Sequence, residues 1–193
     1  KSGTKKFDYT ELTRGIGMQP LLYLFTLEKS GVAQQTEHPI PAGALYFPTK
    51  WSIEAADGPV DPEEAAALRQ NKKIKSDGLV LADEAVLSAM EKHTVGEYVP
   101  VNKRGGLGDY AVTPEQMKLL EQFVTKQVGA AVDRILDGKF SPELFYRGEE
   151  HSPCSYCEFG DVCQKDEAFR KEHYVKNVKA ADFWKEIGGE EDG

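Results

Sequence analysis

The chain has 193 residues, enough for one domain with a sizeable core, and 40% of them are hydrophobic, an ordinary globular share. No apolar run is long enough to span a membrane, and the opening Lys1-Ser2-Gly3-Thr4-Lys5-Lys6 has no apolar stretch behind it, so neither a membrane span nor a signal peptide is expected. A net charge of −8, from 32 acidic and 24 basic residues, argues against wholesale coating of nucleic acid, which clustered Lys and Arg would drive, but leaves room for a local basic channel.

In chain order, residues 1–6 read as the end of a strand and a turn, and the missing initiator Met reads as the middle of a longer protein or a processed end. From Tyr9 to about Lys29 the apolar positions Leu12, Ile16, Met18, Leu21, Leu22, Leu24 and Phe25 predict a helix, capped by Asp8 or Thr10 and stopped at Gly31. Pro20 inside it implies a kink, or a helix that begins nearby. Ala42-Gly43-Ala44-Leu45-Tyr46-Phe47-Pro48 predicts a short buried strand. Residues 52–78 are polar and charged, and the acidic run at 54–64 reads as solvated surface. Residues 83–92 predict an amphipathic helix through Ala85, Val86, Leu87 and Met90, and Tyr98-Val99-Pro100-Val101 an edge strand or connector before a Gly-rich, mobile 102–109.

The clearest element is a helix over 114–137. Thr113-Pro114-Glu115-Gln116 supplies an N-cap, a proline at the first helical position and a capping-box Gln. Met117, Leu120, Phe123, Val124, Val128, Ala131, Val132 and Ile135 mark a buried stripe, and Gly138 ends it. The stretch 166–193 reads as a charged tail with aromatic spots at Phe169, Tyr174, Phe183 and Trp184.

All three cysteines lie within ten residues, in the pattern Cys154-x2-Cys157-x5-Cys163. An odd, clustered set is not a disulfide framework, and a cytoplasmic setting follows as the default. Two thiolates separated by two residues chelate one centre from a single turn, and a third returns to it across the loop containing Gly160. Thiolate-rich sites favour zinc or an iron–sulfur cluster, both of which want four ligands. The fourth is expected outside this chain, because His151 sits only three residues before Cys154, where the loop has little room. Three buried thiols without a metal are the plain alternative.

Gln19 and Tyr23 stand four apart, hence on one helix face, just downstream of Lys1. A lysine at a strand end, followed by a helix presenting Gln and Tyr, is able to line one pocket. In phosphodiester hydrolysis such a lysine orients the attacking water and stabilises charge on the phosphorane while acidic residues hold Mg²⁺. Here Asp8 and Glu11 are candidates for that only by proximity.

Together these features resemble the C-terminal nuclease domain of AddB-type subunits of bacterial AddAB helicase–nucleases, in the RecB-like branch of the PD-(D/E)XK nucleases. In that family a strand carries Asp-Tyr-Lys-Ser-Gly, matched by Lys1-Ser2-Gly3, and a following helix carries Gln-x-x-x-Tyr, matched by Gln19-Pro20-Leu21-Leu22-Tyr23. The next strand resembles Ala42–Pro48, and the family's C-terminal cysteines are matched by Cys154, Cys157 and Cys163. The resemblance covers about residues 1–165, with 52–109 as a polar insertion. It implies an α/β, restriction-endonuclease-like core, a small mixed sheet flanked by helices, with its N-terminal part missing. It further implies a metal-dependent deoxyribonuclease that processes double-strand DNA ends with an AddA-like helicase partner, Lys1 as catalytic lysine and Gln19 and Tyr23 as active-site support. The three cysteines would join one far upstream around a [4Fe–4S] cluster, and the two aspartates that bind Mg²⁺ would precede Lys1. Lacking them, this piece alone is expected to be inactive. A non-catalytic, metal-stabilised module that binds protein or DNA is the alternative. A compact CRISPR-associated four-cysteine exonuclease is disfavoured by the polar segment of roughly 50 residues between Phe47 and Tyr98.

Overall fold

The structure is a computed structural model that describes residues 6–30, 39–48, 58–63, 65, 76–91, 98–102, 104–140, 146, 153–163 and 174–189. In chain order the described elements are α1 (Tyr9–Thr13), α2 (Gln19–Ser30), β1 (Gly43–Tyr46), β2 (Asp77–Leu81), α3 (Glu84–Met90), β3 (Ala111–Val112), α4 (Pro114–Leu136), α5 (Gly160–Cys163) and α6 (Ala180–Gly188). The chain divides into two compact units, residues 1–8 with 17–124 and residues 9–16 with 125–193.

The single helix expected from Tyr9 to Lys29 is two helices. α1 closes on Gly15, whose left-handed φ of 73° lets its N–H donate to Leu12 O at 3.0 Å while Ile16 N–H donates to Glu11 O at 2.9 Å. This pairing satisfies carbonyls that a helix end otherwise leaves orphaned. Pro20 is the second residue of α2, a position where the missing N–H costs nothing, so it starts a helix and does not kink one. Thr10 does not cap α1. It lies inside the helix, buried, and its hydroxyl accepts the Val178 N–H at 2.9 Å. Gly31 falls outside the described residues; α2 ends one residue before it.

The first unit is built on a mixed sheet of order β1-β2-β3. β1 runs antiparallel to β2, with Gly43 opposite Val80, Ala44 opposite Leu79, Leu45 opposite Gly78 and Tyr46 opposite Asp77. β3 runs parallel to β2, pairing Val80 with Ala111 and Leu81 with Val112. Leu79, Val80 and Leu81 are buried in succession, the mark of a strand covered on both faces. α2 packs on β1, burying Leu21 and Phe25 one helical turn apart, and the first half of α4 buries Met117, Leu120 and Val124. Sequence patterning reveals neither β2 nor β3, so the stretch read as a polar insertion contains the middle strand of the sheet.

Of the two expectations for Tyr98–Val101, edge strand or connector, the structure has the connector. Glu91 is buried, and its Oε1 accepts the N–H groups of both Tyr98 and Val99, while the Ser76 hydroxyl donates to Tyr98 O. The Tyr98 and Val99 donors are claimed by a side chain and Pro100 has none, so these three residues offer no N–H to a ladder. The Gly-rich stretch that follows is tied back onto Asn102 by hydrogen bonds. Asn102 Oδ1 accepts the N–H of Arg104 at 2.8 Å and of Gly106 at 3.2 Å, and Asn102 N–H donates to Gly106 O at 2.7 Å.

α3 begins on Asp83, whose carboxylate accepts from the N–H groups of Ala85 and Val86; Val86 and Leu87 are half-buried and the rest of the helix is exposed. α4 starts as its sequence predicts: Gln116 N–H donates to Thr113 Oγ1 at 3.2 Å, and Thr113 N–H donates to Gln116 Oε1 at 3.0 Å. The expected stripe is buried only in its first half; Ala131, Val132 and Ile135 are exposed.

In the second unit α1 and α6 pack together. Phe183 is 0% exposed, with Tyr9 at 5.1 Å and Trp184 at 5.1 Å between ring centroids, so the charged tail carries a core residue of its own. Tyr146 and Tyr174 form an isolated parallel bridge, with Val175 N–H donating to Tyr146 O at 2.9 Å. Among the described residues no helix is long and apolar enough to cross a membrane.

Two glycines set opposite expectations for stability. A Cβ on Gly78 would lie 2.1 Å from Ala44 O at a φ of 142°, so Gly78→Ala is expected to cost about 1–3 kcal/mol in urea unfolding. Gly129, within α4, has open space around it, and Gly129→Ala should stabilise by about 0.5–1 kcal/mol in the same measurement.

Candidate functional site

The Gln19-Tyr23 pair is realised as a contact. Gln19 opens α2 directly after the bend at Gly17, whose φ is 73°, and one helical turn brings Tyr23 beneath it. Gln19 Nε2 donates to Tyr23 Oη at 2.7 Å. The Tyr23 ring is 61% exposed, while Leu21 and Phe25 hold the opposite face of the helix in the core. The phenol, fixed as an acceptor toward Gln19, keeps its own proton for an outside oxygen, and the Gln19 carbonyl remains an acceptor. A pair of this kind suits phosphate or sugar oxygens.

Lys1, Ser2 and Gly3 lie outside the described residues, and so does His151. The segment that leads away from them is fixed at Phe7, whose N–H donates to Asp77 Oδ1 at 2.6 Å across 70 residues. Asp77 opens β2 opposite Tyr46. Burial, then the charges of Asp77 and Asp109, push the Tyr110 phenol above its ordinary range. Asp77 was not singled out by sequence reasoning, nor was Glu91. The signal for Asp77 was thin: a lone acid before Gly78-Leu79-Val80-Leu81.

Cys154 lies in a 3₁₀ turn, Pro153–Tyr156, and Cys157 directly after it, its N–H donating to Cys154 O at 3.3 Å. Cys154 is half-buried, Cys157 is exposed, and neither is in a disulfide. Cys163 ends α5; its side chain is outside the described set. Tyr156, Phe159 and Val162 stand exposed around this turn. A Cys-x2-Cys turn with both thiols unoxidised is the donor chemistry that zinc or iron–sulfur centres take. Among the described residues, however, no three His, Cys, Asp or Glu side chains gather into a group able to hold a metal ion. Neither Asp8 nor Glu11 therefore belongs to such a group of three.

The chain aligns along 100% of its length with an ATP-dependent helicase/deoxyribonuclease subunit of Symbiobacterium thermophilum, at 32% identity over 200 residues. The same holds for the protein of that name in Acetivibrio thermocellus, 32% identical over 200 residues, and in Clostridium perfringens, 30% identical over 207. The chain spans only 17–18% of the length of these relatives. Residues 1–164 match the family model of the PD-(D/E)XK nuclease superfamily, and the mixed sheet flanked by helices fits its α/β, restriction-endonuclease-like fold. The chain belongs to the PD-(D/E)XK nuclease superfamily.

Proposed function

We propose that this chain is part of a metal-dependent DNA exonuclease domain in an AddAB-type, ATP-dependent helicase–nuclease. It works in the cytoplasm with an AddA-like helicase subunit, trimming double-strand DNA ends for recombinational repair. The observation that carries this reading is the Gln19–Tyr23 hydrogen bond on an exposed helix face, in a chain whose residues 1–164 match the nuclease superfamily. The relatives are named as helicase/deoxyribonuclease subunits, which supports the partner and the substrate.

In this reading Lys1 orients the attacking water and stabilises the charge that builds on the phosphorus oxygens, while Gln19 and Tyr23 hold the DNA backbone in register. The Mg²⁺ ligands belong to aspartates upstream of Lys1. Mg²⁺, when bound, lowers the pKa of water and neutralises phosphate charge. Cys154, Cys157 and Cys163 hold a [4Fe–4S] cluster together with an upstream cysteine, and its contribution is to tie the tail to that upstream segment.

Two experiments test this. In the full-length protein, Lys1→Ala is expected to lower Mg²⁺-dependent cleavage of duplex ends by about 10²–10³-fold; unchanged cleavage removes Lys1 from the chemistry. Cys157→Ser is expected to abolish a brown chromophore and the iron and acid-labile sulfide of the purified protein. A colourless protein that carries zinc would instead favour the non-catalytic binding module.

A further inference from the structure

Asn102 organises the turn that leads into β3. Its backbone N–H donates to Gly106 O at 2.7 Å, and its backbone O accepts the Gly105 N–H at 3.0 Å. Its side-chain Oδ1 accepts two more N–H groups, of Arg104 at 2.8 Å and of Gly106 at 3.2 Å. With Oδ1 committed to two backbone donors, the amide has one orientation, and its Nδ2 is left over as a donor. Gly108, at a φ of 55°, makes room for that nitrogen: a Cβ there would lie 2.7 Å from Asn102 Nδ2. The far end is anchored as well, because the 3₁₀ turn Gly108–Tyr110 packs on β2 and β3 then pairs with the same strand.

The side-chain groups that such a turn leaves for an outside molecule are of one kind. Asn102 Oδ1, Asn102 O and Gly106 O all accept inside the turn. Asn102 Nδ2 and the exposed guanidinium of Arg104 have no partner among the described residues, and both are donors only. Gly105 adds no side chain beside Arg104, and even a Cβ there would meet nothing within 4 Å, so a bulky partner has access. Residues 98–108 contain no acid, in a chain whose net charge is −8. A guanidinium presents a planar fork that fits two oxygens of one phosphate. On a turn already ordered, little conformational freedom is lost on binding.

We infer that Arg104, on the turn held by Asn102, is a contact for the DNA phosphate backbone, a second holding point besides the Gln19–Tyr23 pair. The inference rests on the reading of this chain as part of a DNA nuclease and adds a binding residue to it. Such a contact fixes the position of the duplex and reads no sequence.

The test uses the full-length protein assembled with its helicase partner and measures duplex DNA binding without Mg²⁺, by fluorescence anisotropy between about 50 and 200 mM salt. Arg104→Ala is expected to raise Kd about three- to tenfold on duplexes of unrelated sequence and to reduce the slope of log K against log salt by about 1. In Mg²⁺-dependent cleavage the same variant should raise KM and leave kcat within about twofold. Arg104→Lys should restore the salt slope, since the charge returns without the fork. Asn102→Asp keeps an acceptor for the two backbone N–H groups but replaces the free donor with a negative charge, and is expected to weaken DNA binding as well. Wild-type affinity and salt slope in Arg104→Ala overturn the inference. So does a variant that loses its helicase partner while binding DNA normally, which would make the turn a docking point for protein. Wild-type protein that neither binds nor cleaves duplex DNA is the separate outcome in which the nuclease reading fails and takes this inference with it.

Discussion

The first unit depends on β2 being paired along both edges and covered on both faces. A strand so placed has no water to satisfy its backbone, so each N–H and C=O must find protein. β1 supplies one edge, and comes close enough only because Gly43 and Gly78 leave no Cβ between the two backbones. β3 supplies the other, running parallel, and a parallel neighbour demands a crossover. α3 and the segment after it make that crossover, and Glu91 closes it by taking two backbone N–H groups with one carboxylate oxygen. Burying a carboxylate is tolerable because those hydrogen bonds replace its water.

Sequence reading succeeded where the signal was local. The residues from Thr113 to Gln116 announce a helix start, and the reciprocal hydrogen bonds are there. Gln19 and Tyr23 are four apart, and four apart on a helix means contact. It failed where the cause lay far along the chain. β2 is five residues opening with Asp-Gly, β3 is two, and neither carries a period; each is a strand because of partners tens of residues away. Val99 looked like strand material, but the Glu91 side chain had claimed its N–H. The apolar period of α4 runs past the packing that uses it, so Val132 and Ile135 share a pattern with Met117 without sharing its burial.

The residues proposed to bear chemistry divide between the two units. Gln19 and Tyr23 fall in the first and the three cysteines in the second, after α4 has carried the chain from one to the other. The superfamily match spans both, ending one residue past Cys163. This suits a protein in which strand, helix and tail motifs lie far apart in sequence and each is modest alone. Their order along the chain, more than any one of them, made the family legible.

The hydroxyl of Thr10 and the N–H of Val178 are joined across 168 residues, at nearly opposite ends of the chain. A ribosome adding about 5–20 residues per second needs roughly 8–34 s to travel between them. During that interval α1 exists without α6, and Tyr9 and Leu12 wait for the helix that brings Phe183. The second unit is therefore completed only after Phe183 is made, whereas the described strands β1, β2 and β3 of the first are all present once Val112 is made. The order of synthesis imposes an order of assembly, in which α1 stays half-covered until α6 is made.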